Sequence, residues 1–314
     1  MKVLVLGGYG LIGEAVLGRL IEDGHDLVGL GRDVREARRR KPGVEWILAD
    51  MSRLLAAADW GPLLAGVEAV VNASGALQDG PRDHLDAIHW LSVAALVTAC
   101  EQAGARRLVQ IPAIGADLDS DNAFFRTKAE GDRAVASSSL EWTILRPGLV
   151  IAPAAYGGTA LLRALAAFPS FIPAVLADRP IQTVSVMDVA EAVSRAVGGS
   201  LARGQIIDLV EERARPLGAV LLEFRAWLGL PKAPVVAVPA IVGRLAGTAA
   251  DGLGLLGWRS PLRSAALAAL EKGALPATRN PGPKSLIAHR NLWKQRWRLC
   301  RRRFRSGGSR AFGC

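Results

Sequence analysis

The residues best suited to chemistry lie in the stretch DSDNAFFRTKAEGD, residues 119–132. The charge of Lys128 can hold a hydroxyl-bearing ligand, and burial of a lysine lowers its pKa toward the range needed for proton exchange near neutral pH. Phe124 stands four residues earlier, and a phenyl ring cannot donate a proton. Three interpretations of Lys128 stay open: an anchor for a cofactor, a catalytic group, and an ordinary surface lysine.

Tyr156 is the second candidate for proton transfer. It lies in IAPAAYGGTALLRAL, just before a predicted helix, and a phenol there is suited to substrate chemistry. The alternative is an aromatic ring that packs a loop. The four histidines form no arrangement with a Ser or Cys that suggests a triad, and no cluster of His, Cys, Asp and Glu has metal spacing.

A glycine-rich loop near the start of the chain predicts a nucleotide site. Residues 2–6, KVLVL, form an apolar run of strand length, and GGYGLIG follows at once. Glycines at three-residue intervals permit a tight turn, a close approach to a pyrophosphate and close packing of the following helix, whose N-terminus offers unpaired N–H groups. The alternative is a glycine-rich turn without a ligand. The predicted binding residues are Gly7, Tyr9, Gly10, Leu11, Ile12 and Gly13.

The second predicted strand, DLVGLGR, ends in Arg32 rather than in an acidic residue. An acidic residue at this point binds the ribose 2′-hydroxyl of NAD, whereas an Arg can pair with the 2′-phosphate of NADP. We therefore predict NADP as the cofactor. A third strand is predicted over 44–52. Asp50 and Met51, at its end, are candidates for contact with the adenine. The neighbouring basic residues either reinforce the positive field or form a solvated helix face: Arg35, Arg38, Arg39 and Arg40.

The remaining elements predict an α/β fold. VEAVVNASGA, residues 67–76, reads as a fourth strand whose small residues Ala73, Ser74 and Gly75 can run beside the cofactor. A helix over 84–103 and a fifth strand over 106–116 follow, and strands that alternate with helices indicate a parallel sheet. Asp188 reads as the N-cap of a later helix. We predict a Rossmann-type doubly wound sheet over 1–212, a small helical C-terminal appendage over 213–275, and a basic, disordered tail over 276–314.

These motifs together resemble the short-chain dehydrogenase/reductase superfamily in its atypical and extended, NAD-dependent epimerase/dehydratase-like branches. The resemblance covers residue 1 to about 212. The nearest likeness is to NmrA-like and complex-I-accessory-subunit-like NAD(P)H-binding proteins, some of whose bacterial relatives continue into a DoxX-like membrane segment. It rests on GGYGLIG, Asp50-Met51, VVNASG, TKAEGD, EWTILRPGLVIAP and VSVMDVAEAV.

The resemblance also shows where the chain departs from the superfamily. The active Tyr of the superfamily falls on Phe124 and its Ser falls on Pro112, so both usual hydrogen-bonding groups are absent. Lys128 is retained, and in the superfamily this lysine holds the nicotinamide ribose. The isoflavone-reductase-like branch is similar in having the Lys without the Tyr. The resemblance implies that Pro147 and Gly148 form a turn against the nicotinamide, with Arg146 bonded to backbone carbonyls beneath it.

Charge and composition limit the range of partners. The formal net charge is +10, but residues 273–314 hold eleven basic residues and no acidic ones, which leaves −1 for the rest. A nearly neutral body argues against nucleic-acid binding as the main function. The three cysteines form no disulfide or zinc pattern, which predicts a cytoplasmic protein. The segment 235–258 is a candidate for contact with a membrane surface, and the alternative is a buried or surface-packed helical segment. The basic tail is a second candidate for such contact. The resemblance implies that helices four and five can pair in a homo-oligomer.

Two functions from different classes follow. In the first, the protein is an NADP(H)-dependent oxidoreductase that acts on a small apolar carbonyl or quinone-like acceptor. The apolar segment 167–180 supports this substrate class if it covers the pocket as a flap, and the alternative is a loop buried in the core. In the second, the protein binds NADP(H) without turnover, as a redox sensor or an assembly or accessory protein of a respiratory complex.

Overall fold

The computed structural model of the protein describes residues 1–77, 79–80, 83–154 and 157–255. Thirteen strands are present in these ranges, together with nine α-helices and three shorter helical turns. The strands are β1 (Lys2–Leu6), β2 (Asp26–Gly31), β3 (Glu45–Leu48), β4 (Ala69–Asn72), β5 (Arg107–Gln110), β6 (Glu141–Pro147), β7 (Leu149–Ile151), β8 (Ile172–Val175), β9 (Pro180–Ile181), β10 (Thr183–Ser185), β11 (Gln205–Leu209), β12 (Arg215–Pro216) and β13 (Val235–Val238).

The helices alternate with the strands over most of this length. Two short 3-10 turns and one π-helical turn accompany the α-helices, at Met51–Arg53, Gly61–Leu64 and Ala87–Leu91. The α-helices are α1 (Leu11–Glu22), α2 (Arg35–Arg40), α3 (Ala57–Trp60), α4 (Ser92–Ala103), α5 (Ala123–Ala136), α6 (Gly157–Ala166), α7 (Val186–Val197), α8 (Leu217–Trp227) and α9 (Ala240–Leu255).

The central sheet has seven strands in the order β11-β6-β5-β4-β1-β2-β3, and every neighbouring pair is parallel. This order reverses direction between β1 and β4, which is the doubly wound Rossmann arrangement. The predicted fold class is therefore confirmed. The predicted strands at 44–52, 67–76 and 106–116 are each reduced to four residues, because the chain leaves the sheet where the small residues begin.

Alternate side chains of the sheet serve two different cores, as the two-residue period of a strand requires. On one face, Val3 and Val5 of β1 pack with α1 and α7, and on the other face Leu4 and Leu6 pack with α4 and the end of α5. All four side chains are fully buried. A sheet covered on both faces by helices explains why the strands read as continuous apolar runs.

A third core lies beside the sheet and combines two distant parts of the chain. Ile151 and Leu162 pack with Leu217 and Leu221 of α8, and with buried residues from the part of the chain that connects these two regions. The strand β13 pairs in parallel with β8, so residues after 213 contact the elements that follow β6. The division of the chain at residue 212 stays a prediction.

Several local expectations differ from the structure. Within the proposed flap, Ile172 and Ala174 are buried in the strand β8, so this part of the segment belongs to the core. The N-cap of α7 is Ser185, whose hydroxyl accepts a hydrogen bond from the Met187 amide at 3.2 Å, and Asp188 instead lies in the first turn. The N-cap prediction for Asp188 was therefore wrong.

Two findings concern the prediction that the chain has no metal site and the prediction that it contacts a membrane surface. Within the described ranges, no group of three or more His, Cys, Asp or Glu side chains could hold a metal ion. None of the helices in these ranges is both long and apolar enough to cross a membrane. Ile241 and Leu245 on α9 are 65% and 67% exposed. Contact of this segment with a membrane surface stays a prediction, and the basic tail lies outside the described residues.

Candidate cofactor site

The candidate site begins at the carboxyl ends of β1 and β4, where the strand order reverses. Ligands of open α/β sheets bind in the crevice at this point. Val3 to Leu6 pair in register with Ala69 to Asn72, so the loops that follow the two strands lie side by side. Gly7 has a φ of +68°, and a Cβ on it would lie 2.9 Å from the Cα of Ser74. The two loops therefore touch through backbone alone.

The glycine loop turns directly into α1. The Gly10 amide donates to the Gly7 carbonyl at 2.9 Å, and Gly10 is the N-cap of the helix without a side-chain cap of its own. A Cβ on Gly13 would lie 2.2 Å from the Gly7 carbonyl oxygen, so Gly13 admits no side chain. Leu11 and Ile12 form the first turn. This geometry leaves uncapped N–H groups at a helix N-terminus, which fits a dinucleotide pyrophosphate.

Tyr9 packs across the end of β2. A Cβ on Gly31 would lie 2.0 Å from the Tyr9 ring, which explains why a glycine precedes Arg32. The Arg32 amide donates to the Tyr9 hydroxyl at 3.2 Å. The Arg32 guanidinium forms an ion pair with Asp83, with 2.7 Å between Nη1 and Oδ1. Arg32 thus follows the carboxyl end of β2, and it already has a carboxylate partner there. Its contact with a 2′-phosphate stays a prediction.

The residues after β3 are held by their own local contacts. The Asp50 carboxylate accepts hydrogen bonds from the Ser52 amide at 3.0 Å and from the Ser52 hydroxyl at 2.9 Å. Met51 is buried in the core between the sheet and α4. These contacts position the turn that follows the strand, and contact of Asp50 and Met51 with an adenine stays a prediction.

Lys128 is buried on α5 and reaches the loop after β4. Its Nζ donates to the Ser74 carbonyl at 3.3 Å, and a Cβ on Gly75 would lie 2.8 Å from the same Nζ. Burial lowers the Lys128 pKa from 10.5 to about 8, and the nearby Asp132 carboxylate opposes the shift. The surface-lysine interpretation is therefore wrong, since Lys128 is 5% exposed. A lysine with this pKa carries its proton at pH 7 and can release it readily.

His89 is a further buried group in the same place, and it lies on the π-helical turn before α4. Its Nε2 accepts a hydrogen bond from the Ala76 amide at 3.1 Å, and its Nδ1 lies 2.9 Å from the Thr127 hydroxyl. Because an amide must donate to Nε2, the proton of the neutral ring is on Nδ1. Burial, and then the Lys128 charge, lower the His89 pKa well below 6.5. The ring is therefore neutral, and both of its nitrogens are engaged.

At the position of the superfamily's tyrosine, the chain has a phenylalanine that packs against a neighbouring ring. Phe124 is half-buried, and its ring meets the His89 ring edge to face with centroids 5.7 Å apart. Pro112, at the position of the missing serine, is buried just after β5. Neither position offers a hydroxyl, and the His89 ring is neutral, so among the described residues Lys128 is the group that brings a charge to the loop after β4. Tyr156 lies outside the described residues.

The carboxyl end of β6 is held by an ion pair. Arg146 donates from Nε and Nη2 to Oδ2 of Asp132 at 3.2 and 3.0 Å. The expectation that Arg146 binds backbone carbonyls was therefore wrong. Burial raises the Asp132 pKa to about 6 despite the arginine. Pro147 ends β6, and Gly148 is a single bent residue before β7, where a Cβ would lie 2.5 Å from the Gln182 carbonyl oxygen.

Sequence reasoning missed His89, Asp83 and a pair of buried amides. Asn72 and Gln110 are register partners on β4 and β5, and the Asn72 amide donates to Gln110 Oε1 at 2.9 Å. Asn72 Oδ1 in turn accepts from the Ser74 amide at 3.1 Å, which fixes the loop after β4. A signal for the amide pair was present, because each residue is a polar side chain within the apolar run of a predicted strand. His89 and Asp83 had no comparable local signal.

Comparison with known proteins identifies the family. A sequence model described as NAD(P)H-binding matches residues 7–198, more than half of the chain. The chain belongs to this NAD(P)H-binding family. The match begins at the first residue of the glycine loop and ends just after α7, so it includes Arg32, Lys128 and the strands that place them.

Two characterised relatives are reductases by name. A 3-diazoavenalumate denitrifying reductase from a Streptomyces species is 31% identical over 277 residues, which cover 77% of this chain and 88% of that protein. An NAD(P)H azoreductase from Xenophilus azovorans is 32% identical over 149 residues, 46% of this chain and 47% of that protein. The chain is therefore similar to reductases, and the second likeness spans less than half of either protein.

A solved structure supports the fold. The dTDP-glucose 4,6-dehydratase of Bacillus anthracis, determined in complex with NAD, superposes with a TM-score of 0.64 at 13% identity, over 76% of this chain and 84% of that one. At this identity the likeness concerns the fold alone. The expected resemblance to atypical short-chain dehydrogenases/reductases is confirmed, whereas the DoxX-like continuation stays a prediction.

Proposed function

We propose that the protein is an NADPH-dependent reductase of conjugated, electron-poor acceptors, with Lys128 as the proton donor. The observation that carries the proposal is the buried Lys128, whose Nζ lies 3.3 Å from the Ser74 carbonyl and whose pKa is lowered by burial to about 8. Phe124 and Pro112 stand at the positions where the superfamily that the chain resembles has its Tyr and Ser. A general acid works best when its pKa lies near the working pH. Lys128 meets that requirement, whereas the side chains of Phe124 and Pro112 have no proton to donate.

The cofactor half of the proposal assigns each predicted residue a role. Residues 7–13 hold the pyrophosphate, and Arg32 binds the 2′-phosphate that distinguishes NADP from NAD. Asp50 and Met51 border the adenine, while residues 73–75, 147 and 148 border the nicotinamide. The close backbone contacts of Gly7 with Ser74 and of Gly13 with the Gly7 carbonyl support this assignment.

The catalytic half concerns the transfer of one proton. When bound, NADPH supplies a hydride to the acceptor. The Lys128 ammonium donates its proton to the acceptor atom that gains negative charge, and the resulting amine takes up a proton from solvent. Its hydrogen bond to the Ser74 carbonyl holds the ammonium at the end of β4. Tyr156, which lies outside the described residues, is a second candidate donor.

The proposed acceptor class follows from the absence of hydroxyl groups at Pro112 and Phe124. Reduction of an ordinary carbonyl places charge on one oxygen, which needs hydrogen-bond donors at that oxygen. Quinone-like and azo acceptors spread the charge over a conjugated system, so a single ammonium is a sufficient donor. The printed names of the two relatives refer to diazo and azo compounds, which supports this class.

The second candidate function is NADP(H) binding without turnover, by a redox sensor or an assembly or accessory protein of a respiratory complex. The replacement of both hydroxyl residues by Pro112 and Phe124 favours it, because a sensor needs affinity and no proton donor. The cofactor residues are shared by both candidates. Turnover therefore decides between them.

The test is a fluorescence titration with NADPH and NADH, followed by turnover assays with a naphthoquinone and an aryl azo dye. The proposal expects tighter binding of NADPH and oxidation of it by at least one acceptor. It also expects Lys128→Met to abolish turnover, and kcat of the unmodified protein to fall as pH rises through about 8. Lys232→Met is the matched control, because Lys232 is exposed.

The outcomes separate the candidates. Binding without oxidation of any acceptor would support the non-catalytic function. Turnover that survives in Lys128→Met would remove Lys128 from the mechanism, and Tyr156→Phe would then be assayed. Absence of binding of either nucleotide would contradict the cofactor assignment itself.

A further inference from the structure

Asp83 faces the side chain to which the proposed function assigns the 2′-phosphate. It lies beyond the end of β4, in a bridge with Gly80, and its Oδ1 is 2.7 Å from Arg32 Nη1. The two side chains are 21% and 33% exposed, so solvent screens the pair only in part. The Arg32 backbone is held independently by the Tyr9 hydroxyl.

The other charge that acts on Arg32 has a different role. Asp50 is close enough to influence Arg32 electrostatically, but its carboxylate is engaged with the Ser52 amide and hydroxyl. Among the contacts of the described residues, Asp83 is therefore the carboxylate that touches the guanidinium directly. Any anion that uses Arg32 must share it with Asp83 or displace Asp83 from it.

The physical consequence concerns one charge on the cofactor. A 2′-phosphate is a strong anion that pairs best with a guanidinium in two-point contact. The Asp83 carboxylate occupies part of that donor set and repels the phosphate, whereas NADH has a neutral hydroxyl at the same atom. Repulsion between two charges several ångströms apart in a half-exposed site corresponds to about tenfold in binding.

We propose that Asp83 is a selectivity residue of the cofactor site: its carboxylate holds Arg32 and reduces the preference for NADPH over NADH. The inference rests on the proposed function, since it assumes that Arg32 binds the 2′-phosphate. It deepens that function by assigning the strength of the preference to an ion pair between the end of β2 and the loop after β4.

The test compares Asp83→Asn with the unmodified protein by nucleotide titration. The Asn keeps an acceptor for Arg32 and removes the charge, so NADPH binding is expected to tighten about tenfold while NADH binding stays unchanged. The adenosine halves, 2′,5′-ADP and AMP, are expected to differ in the same way, which separates the effect from the nicotinamide. Raising the salt concentration is expected to shrink the difference.

Asp79→Asn is the matched control. Asp79 lies in the same loop and accepts a hydrogen bond from the Leu85 amide at 2.8 Å, a role that Asn keeps. This variant loses the same charge away from the pair, and its NADPH to NADH ratio is expected to stay unchanged. In an Arg32→Gln background the ion pair is already broken and only the direct repulsion of the phosphate by Asp83 is left, so Asp83→Asn is expected to change the ratio by less than it does in the unmodified protein.

Three results would overturn the inference. An unchanged ratio in Asp83→Asn, with both nucleotides still bound, would remove Asp83 from selectivity and leave the proposed function intact. Weaker NADPH binding in that variant would mean that Asp83 orients Arg32 for the phosphate, the opposite role. Failure of the unmodified protein to bind either nucleotide would overturn the proposed function and this inference together.

Discussion

Replacement of Lys128 by Met is expected to stabilise the folded protein while removing its activity. Burial lowers the Lys128 pKa from 10.5 to about 8, and this difference corresponds to about 3 kcal/mol of unfavourable free energy for keeping the ammonium buried. This value already includes the opposing attraction to Asp132. Met has a similar length and carries no charge. It has no ammonium to donate to the Ser74 carbonyl, and loss of that hydrogen bond offsets part of the gain, so we expect a net stabilisation of about 2 kcal/mol at pH 7.

The pH dependence gives this prediction a sign. The folded pKa lies below the unfolded one, so between about pH 8 and 10.5 the unfolded chain binds more protons at this residue than the folded chain does. The contribution of Lys128 to the free energy of unfolding is therefore most unfavourable below pH 8, and this penalty disappears as pH rises toward 10.5. The difference in the free energy of unfolding between Lys128→Met and the unmodified protein must therefore shrink between about pH 8 and 10.5.

The measurement is urea unfolding followed by tryptophan fluorescence, at several pH values between 6.5 and 10, without nucleotide. Lys232→Met supplies the control, since the same substitution at an exposed position is expected to change stability by less than about 0.5 kcal/mol at every pH. A Lys128→Met protein that is less stable than its parent at pH 7, with no change of the difference up to pH 10, would refute the reasoning. The ammonium would then be well solvated in the fold.

Three other changes test separate parts of the structure. Gly13→Ala is expected to abolish nucleotide binding in a titration, because its Cβ would lie 2.2 Å from the Gly7 carbonyl oxygen, whereas Gly24→Ala at the end of α1 should leave binding intact. Arg225→Gln should lower the free energy of unfolding by about 3 kcal/mol, since its buried guanidinium donates to the carbonyls of 166, 168, 169 and 231. Burial raises the Cys100 pKa to about 12, so a thiol reagent at pH 8 should label Cys100 only after unfolding.

The fold could be predicted from local sequence to a considerable extent. KVLVL followed by spaced glycines specifies a strand, a turn and a helix within twenty residues, and the structure has each of them. Strand ends were less accurate, because small residues such as Ala73 and Gly75 continue an apolar pattern after the backbone has left the sheet. The N-cap of α7 shows the same limit: Ser185 and Asp188 both suit the position, and only the backbone decides.

The site was less predictable, because its contacts join residues that are far apart in sequence. Arg32 and Asp83 are separated by fifty-one positions, and no local pattern around Asp83 indicates an ion pair. His89 lies in a predicted amphipathic helix, where a histidine is more often a packing residue. Its hydrogen bonds to Ala76 and Thr127 arise only when α5 is placed against the π-helical turn. Long-range partners of this kind require the three-dimensional arrangement.

One stripe of α5 carries the residues that surround the position of the absent tyrosine. Phe124, Thr127, Lys128 and Gly131 recur at helical spacing, and a Cβ on Gly131 would lie 2.0 Å from the His89 carbonyl oxygen. The close approach brings the phenyl ring against His89 and leaves the ammonium at Ser74 and Gly75. Of these residues, only Lys128 is unfavourable for folding, since its single hydrogen bond within the described ranges does not offset the burial of its charge. A buried charge that destabilises the fold, and whose contacts do not compensate for its burial, is best explained by a role in binding the cofactor or in proton transfer.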